Sequence, residues 1–125
     1  MGESAEMYLE TILILGKRKN HVRAVDIATE MDISKASVSI ALGKLKAQEC
    51  VIVDQDGHIA FTEKGRAIAE KIYERHRVLA RLIESLGVDP AIAAADACKV
   101  EHVISDETFA AIKASVQGMD NSPLP

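Results

Sequence analysis

Apolar positions recur along this chain with two different periods, and the changes between them mark out the elements. From residue 4 to 18, "SAEMYLETILILGKR" sets Met7, Ile14 and neighbouring Leu and Ile residues at helical spacing, with Ser4 as the expected N-cap. After the polar turn "KNHV", the stretch "AVDIATEMDISKASVSIALGKLKAQE" predicts two helices, about 24–31 and 35–48, broken at "MDIS" with Ser34 capping the second. The period then shortens. "CVIVD" and "HIAFT" are β-branched runs around "QDG", where Asp56-Gly57 signals a hairpin. Thr62 is placed to cap a long helical pattern, "EKGRAIAEKIYERHRVLARLIESLG", which stops at Gly87 as its C′ residue. Asp89-Pro90 starts a further helix by the cap-then-proline rule, expected to carry Cys98 through His102. Ser105 caps a last helix to about Ser115, and "GMDNSPLP" reads as a frayed tail.

Helix, helix-turn-helix, hairpin is the order of a winged helix-turn-helix domain with a two-stranded wing. Ala24, Ile27, Ala28, Ile33, Val38 and Leu42 supply the packing between the two central helices. The second of these then acts as a recognition helix, its outer side offering Ser34, Lys35, Ala36, Ser37, Ser39, Ile40 and Lys44. Lys and Ser suit phosphate and base-edge hydrogen bonds, and Ile40 or Ala36 suits a thymine methyl. The expected organisation is mostly α: a winged domain over 1–63, a helical domain over 64–118 and a flexible tail over 119–125. A winged domain used for protein docking is the alternative.

Composition narrows this reading without changing it. With 125 residues, 48% of them hydrophobic but only 3% aromatic and no Trp, the chain can bury a core, and that core must be aliphatic. No apolar run approaches the roughly 20 residues of a membrane span, and "MGESAEMYLE" lacks the pattern of a secretion signal, so a cytoplasmic protein is expected. In that compartment Cys50 and Cys98 are expected as free thiols or ligands. The net charge of −4 looks wrong for a nucleic-acid binder until it is divided along the chain. Residues 1–16 carry three acids and no base, residues 17–49 seven Lys or Arg against four acids, residues 50–88 six against six, and residues 89–125 two against six. A basic middle between acidic ends fits a polyanion contact from 17–49 and a cation site from the ends, although solvated helix faces give the same pattern.

The candidate cation ligands cluster in "DACKVEHVISDE", residues 96–107, where Cys98, Glu101 and His102 fall at i, i+3 and i+4. Taken alone, such a Cys is more often core and such a Glu-His pair half exposed. Helix one adds Met7 and Glu10 at i and i+3, and the long helix adds His76 in "YERHRVL". Three helices thereby offer sulfur, nitrogen and oxygen donors. Two chemical rivals are weaker. A di-iron enzyme needs Glu-x-x-His pairs on two helices, whereas Glu101 and His102 are adjacent. A nucleophile pair of Cys98 and His102 has no accompanying oxyanion motif.

"AEMYLETI", "DISKASVSIALGKL", "FTEKGRAIAEKIYERHRVL" and "DACKVEHVISDE" together resemble the metal-dependent repressors of the diphtheria toxin repressor and manganese transport regulator family, over nearly all of the chain to about residue 117. The resemblance implies an N-terminal winged helix joined to a helical metal-binding and dimerisation domain. It further implies a homodimer that binds double-stranded operator DNA and, with metal bound, represses metal-uptake genes. Met7, Cys98, Glu101 and His102 match the principal metal site of the iron-responsive branch, while Glu10 and His76 match ligands of the manganese-responsive branch. Sulfur ligands favour Fe²⁺, Co²⁺, Ni²⁺ or Zn²⁺ over Mn²⁺, and Fe²⁺ is the expected effector, with Mn²⁺ as the other physiological option. The chain departs from the iron branch at Ala80 and Ala94, where an ancillary site has an acid and a His. It also has Ala36 where Pro is frequent, Ile40 where a polar side chain is frequent, and Cys50, read as structural, where Gly commonly ends the recognition helix. A metal-independent winged-helix regulator is the alternative to a metal sensor.

Overall fold

A computed structural model describes residues 1–120, so the expected tail from 121 onward lies outside the described residues. The chain divides after Glu70 into two compact units. In the first, α1 (Glu3–Arg18) buries Tyr8, Leu9, Ile12, Leu13 and Leu15 on one face. Its N-cap is Gly2, in extended backbone and without a side-chain cap, and its acidic first turn and basic last turn complement the helix dipole. Ser4 does not cap: the helix already closes two residues upstream through the Glu6 N–H to the Gly2 carbonyl, at 3.2 Å.

α2 (Ala24–Met31) begins where the Asp26 carboxylate accepts the Arg23 backbone N–H at 2.9 Å. It ends at Asp32 in the left-handed region (φ 54°). α3 (Lys35–Ala47) is capped as expected, the Ser34 hydroxyl accepting from the Ser37 N–H at 3.1 Å. Beyond α3 the left-handed residue is Glu49 (φ 59°), and Cys50 is fully buried. β1 (Val51–Val53) pairs antiparallel with β2 (Ile59–Phe61) in the register Val51↔Phe61. The connection is longer than a two-residue turn: Asp54 accepts the N–H groups of both Asp56 and His58, and Gly57 takes φ 81°. A hydrogen bond of 2.8 Å from the Ile59 N–H to the Val22 carbonyl ties the wing to the segment before α2. Leu9, Ile27, Val38, Leu45 and Cys50 are among the most deeply buried residues of this unit, which makes its interior aliphatic.

α4 (Glu63–Ser85) begins after Thr62, whose hydroxyl accepts the Gly65 N–H and donates to the Glu49 carbonyl. Gly65 is required here by contact rather than by backbone angle, because a Cβ would lie 1.9 Å from the Cys50 carbonyl oxygen.

The second unit contains the rest of α4, α5 (Pro90–Val100) and α6 (Asp106–Asp120). Gly87 turns the chain at φ 93°, and Asp89 caps α5 through the Ala91 N–H with Pro90 at the first helical position. The core of this unit is built on Val78, Phe109 and Val116, packed with Leu82, Ile104 and Ile112. Two expectations are corrected. α5 stops at Val100, leaving Glu101 and His102 in the closing turn, where the Val103 N–H reaches only three residues back to the Val100 carbonyl. α6 runs past Ser115 to Asp120, because Val116 is fully buried and extends the apolar stripe by another turn.

Candidate metal centre and nucleic-acid interface

In the second unit the centre is Glu101. Its side chain is fully buried and is met by two imidazoles. Nδ1 of His76 lies 3.0 Å from one carboxylate oxygen, and Nε2 of His102 lies 3.3 Å from the other. α4 supplies His76, and the turn closing α5 supplies the other two, so residues 25 apart in sequence meet. Burying a carboxylate is costly unless it is paired or coordinates a cation. The oxygen facing His102 is buried and takes no hydrogen bond among the described residues. A buried carboxylate with spare acceptor capacity between two ring nitrogens fits a divalent first-row ion. Cys98, half-buried in the last turn of α5, adds a thiol to the same stretch of chain.

The remaining predicted ligands, Met7 and Glu10, lie in the first unit one turn apart on α1, Met7 half-buried and Glu10 with a buried side chain. The Met7 carbonyl accepts the Thr11 hydroxyl at 2.8 Å. Ala80 and Ala94, where the resemblance places ancillary ligands, carry none.

The predicted DNA face is on α3. Val38, Leu42 and Leu45 point inward, while Ser34, Lys35, Ala36, Ser37, Ser39, Ile40 and Lys44 are all exposed, Ile40 at 64%. The basic character of 17–49 resolves into two kinds of charge. Arg18 is paired with Glu30 at 2.6 Å and Lys19 with Asp26 at 2.5 Å. Hydrogen bonding from Lys19, then from the Arg23 backbone, holds the Asp26 carboxyl below its usual value. Lys35, Lys44 and Lys46 on α3 make no ion pair among the described residues, which leaves their charge available to a polyanion. Ser34 is less available, because its hydroxyl is engaged by Ser37.

Two features escaped the reading of the sequence. His21 and His58 stack in parallel at 4.1 Å beside the wing, with an Arg23 guanidinium nitrogen 3.0 Å from His58. Nothing in the spacing of residues 37 apart announces this. The other is Arg75, buried on α4, which donates to the carbonyls of Glu101 and Ile104 and to the Asp106 carboxylate. It left a trace, since Arg75 interrupts the apolar stripe of Ile72 and Leu79 at helical spacing.

Comparison with known proteins decides the family. Residues 1–59 match the profile described as the iron dependent repressor N-terminal DNA binding domain, and residues 62–124 match the iron dependent repressor metal binding and dimerisation domain. The chain belongs to the iron-dependent repressor family. Among family members, a helix-turn-helix-type transcriptional regulator of Methanocaldococcus jannaschii is 34% identical over 115 residues, covering 90% of this chain and 92% of the relative. The regulator MntR of Listeria monocytogenes is 32% identical over 120 residues, covering 96% and 84%. Among solved structures, a manganese-dependent transcriptional repressor in complex with manganese superimposes with TM-score 0.82 at 25% identity, covering 97% of this chain and 61% of that one. The manganese regulator SloR superimposes at 0.75 and 27%, covering 95% and 54%. The chain therefore spans a little over half the length of these solved family members. The match bears out the resemblance and the fold class, and places the chain among metal-dependent transcriptional regulators.

Proposed function

We propose that this family member is a homodimeric repressor that binds double-stranded operator DNA when a divalent ion, Fe²⁺ in preference to Mn²⁺, occupies the site around Glu101, and that it controls metal-uptake genes from the cytoplasm. The observation that carries the metal reading is the buried Glu101 carboxylate held between His76 and His102. Cys98, with its thiol, supports a later, softer ion such as Fe²⁺, Co²⁺, Ni²⁺ or Zn²⁺ over Mn²⁺. Met7 and Glu10 on α1 are proposed as further donors on the family match alone. Residues 1–63 carry DNA reading, residues 64–118 carry metal binding and dimerisation, and no catalysis is ascribed to either. Among the described residues, no helix is long and apolar enough to cross a membrane.

When bound, the ion supplies positive charge that neutralises the buried carboxylate. His76 holds one oxygen of that carboxylate and His102 faces the other, and burial of the carboxylate keeps water from competing for the same donors. On α3, Lys35 and Lys44 bind phosphate, Ser37 and Ser39 offer hydrogen bonds to base edges, and Ile40 and Ala36 offer apolar contact. For a switch, metal needs only to favour the DNA-competent arrangement by about 1–3 kcal/mol, or roughly 5–150-fold in affinity.

The test is anaerobic calorimetry with Fe²⁺ and with Mn²⁺. It is followed by measuring affinity, with and without metal, for duplexes selected from a randomised pool. A rise in duplex affinity of roughly 5–150-fold on metal addition is expected. Equal affinities would reject the switch and leave a metal-independent regulator, which would also keep DNA binding after Cys98→Ala and His102→Ala.

A further inference from the structure

We infer that Arg75 is a positioning residue for the metal centre, setting the Glu101–His102 turn in its ligand-presenting form before any ion arrives. The inference rests on the metal-centre reading proposed above. It starts from the way α5 ends. The last carbonyls of a helix have no partner within it and must find one elsewhere. Here the Glu101 carbonyl, at the C-cap of α5, and the Ile104 carbonyl, in the connection to α6, find the same guanidinium nitrogen of Arg75, at 3.2 and 2.7 Å. Another Arg75 nitrogen donates to Asp106 at the start of α6, at 2.5 Å, and the guanidinium lies 5.4 Å from the Phe109 ring centre. Lys71 holds the same Asp106 oxygen at 3.0 Å.

A guanidinium is expensive to bury, and a clamp of this kind is rigid because its donors form a fixed planar fork. Arg75 is 6% exposed, and what it grips is the backbone on both sides of His102 and Val103. Neighbouring residues of α4 thus hold Glu101 by both ends. Arg75 takes its carbonyl, and His76 takes its carboxylate. Without Arg75, an ion would have to order that turn as it bound, and its apparent affinity would fall accordingly. Groups that orient ligands in this way typically change metal affinity by about 10–100-fold when lost.

The experiment compares the full chain with Arg75→Met, Arg75→Lys and Asp106→Asn, reading Fe²⁺ affinity by anaerobic calorimetry and amide exchange at residues 101–104 in ion-free protein. The expected order is a loss of about 10–100-fold for Arg75→Met, partial recovery for Arg75→Lys, and a smaller loss for Asp106→Asn. Exchange at 101–104 should accelerate in the same order. Native affinity and native exchange in a folded Arg75→Met or Arg75→Lys variant would overturn the inference. If Arg75→Met fails to fold, Asp106→Asn decides: side-chain exposure at Asp106 is 73%, and a folded variant with native affinity and exchange refutes the clamp. The two readings fail differently. An unmodified chain that binds no Fe²⁺ removes the metal centre and the clamp together, whereas Fe²⁺ binding that is lost in Glu101→Gln but unchanged in the Arg75 variants removes only the clamp.

Discussion

The two units are held together by different physics. The first has an aliphatic interior of Leu9, Ile27, Val38 and Leu45, and its helix starts and stops are settled by hydrogen bonds spanning about one turn, as Ser34 shows. In the second, Arg75 and Glu101 are buried along with the aliphatic residues, and the C-cap carbonyl of α5 is bonded by a side chain 26 residues away in sequence. α3, set by apolar packing and a local cap, should respond weakly to ions and to pH, although α1 of the same unit buries the Glu10 carboxylate. The segment around Arg75 and Glu101, which buries charge of both signs, must be sensitive to both. The contrast is therefore sharpest between α3 and the Glu101 turn.

The contrast can be broken most forcefully at Gly65. Gly65→Ala drives a methyl into the Cys50 backbone carbonyl, and overpacking against backbone should cost about 3 kcal/mol, read as a lower urea midpoint. Next in size is Glu101→Gln, which keeps the shape but removes the charge. It should weaken Fe²⁺ binding about 100-fold or more in anaerobic calorimetry while leaving ion-free melting close to native. In the native protein, adding the ion should slow amide exchange at residues 101–104 and leave α3 unchanged. Equal protection of both regions would erase the distinction. Ser34→Ala removes the cap of α3 and should cost about 1 kcal/mol with no change in metal affinity.

The smallest effect concerns acid. Asp106 is held below its usual 3.8, first by hydrogen bonding from Lys71 and then by Arg75. A depressed carboxyl contributes stability that is present above the unfolded value and is lost as pH falls through the folded one. Below about pH 4, native protein should therefore lose stability more steeply than Asp106→Asn in acid titrations followed by circular dichroism.

The same divide explains which parts could be read from the chain alone. Ser34, Thr62, Asp89 and Ser105 identify themselves because a cap acts on a backbone group two or three residues away. The recognition face shows itself through helical period. Ser4 misled because a capping residue type is no guide to which residue stays extended, and Gly2 does so instead. The end of α5 is illegible because the Glu101 carbonyl there is bonded by Arg75 from another helix, and the wing connection is longer than Asp56-Gly57 suggests because Asp54 collects two N–H groups from it. For the candidate centre, spacing grouped Cys98, Glu101 and His102. His76 is readable as a further donor on the long helix, but nothing local says that residues 76 and 101 meet.

The close approach of α4 to the strand that follows α3 also limits how the molecule can be re-engineered. The Cys50 carbonyl lies where a side chain at position 65 would begin, and because that carbonyl is backbone, the clash does not depend on which residue stands at position 50, while position 65 must stay glycine. A chimera that exchanges the start of the long helix must keep a glycine there, or the hairpin will not seat.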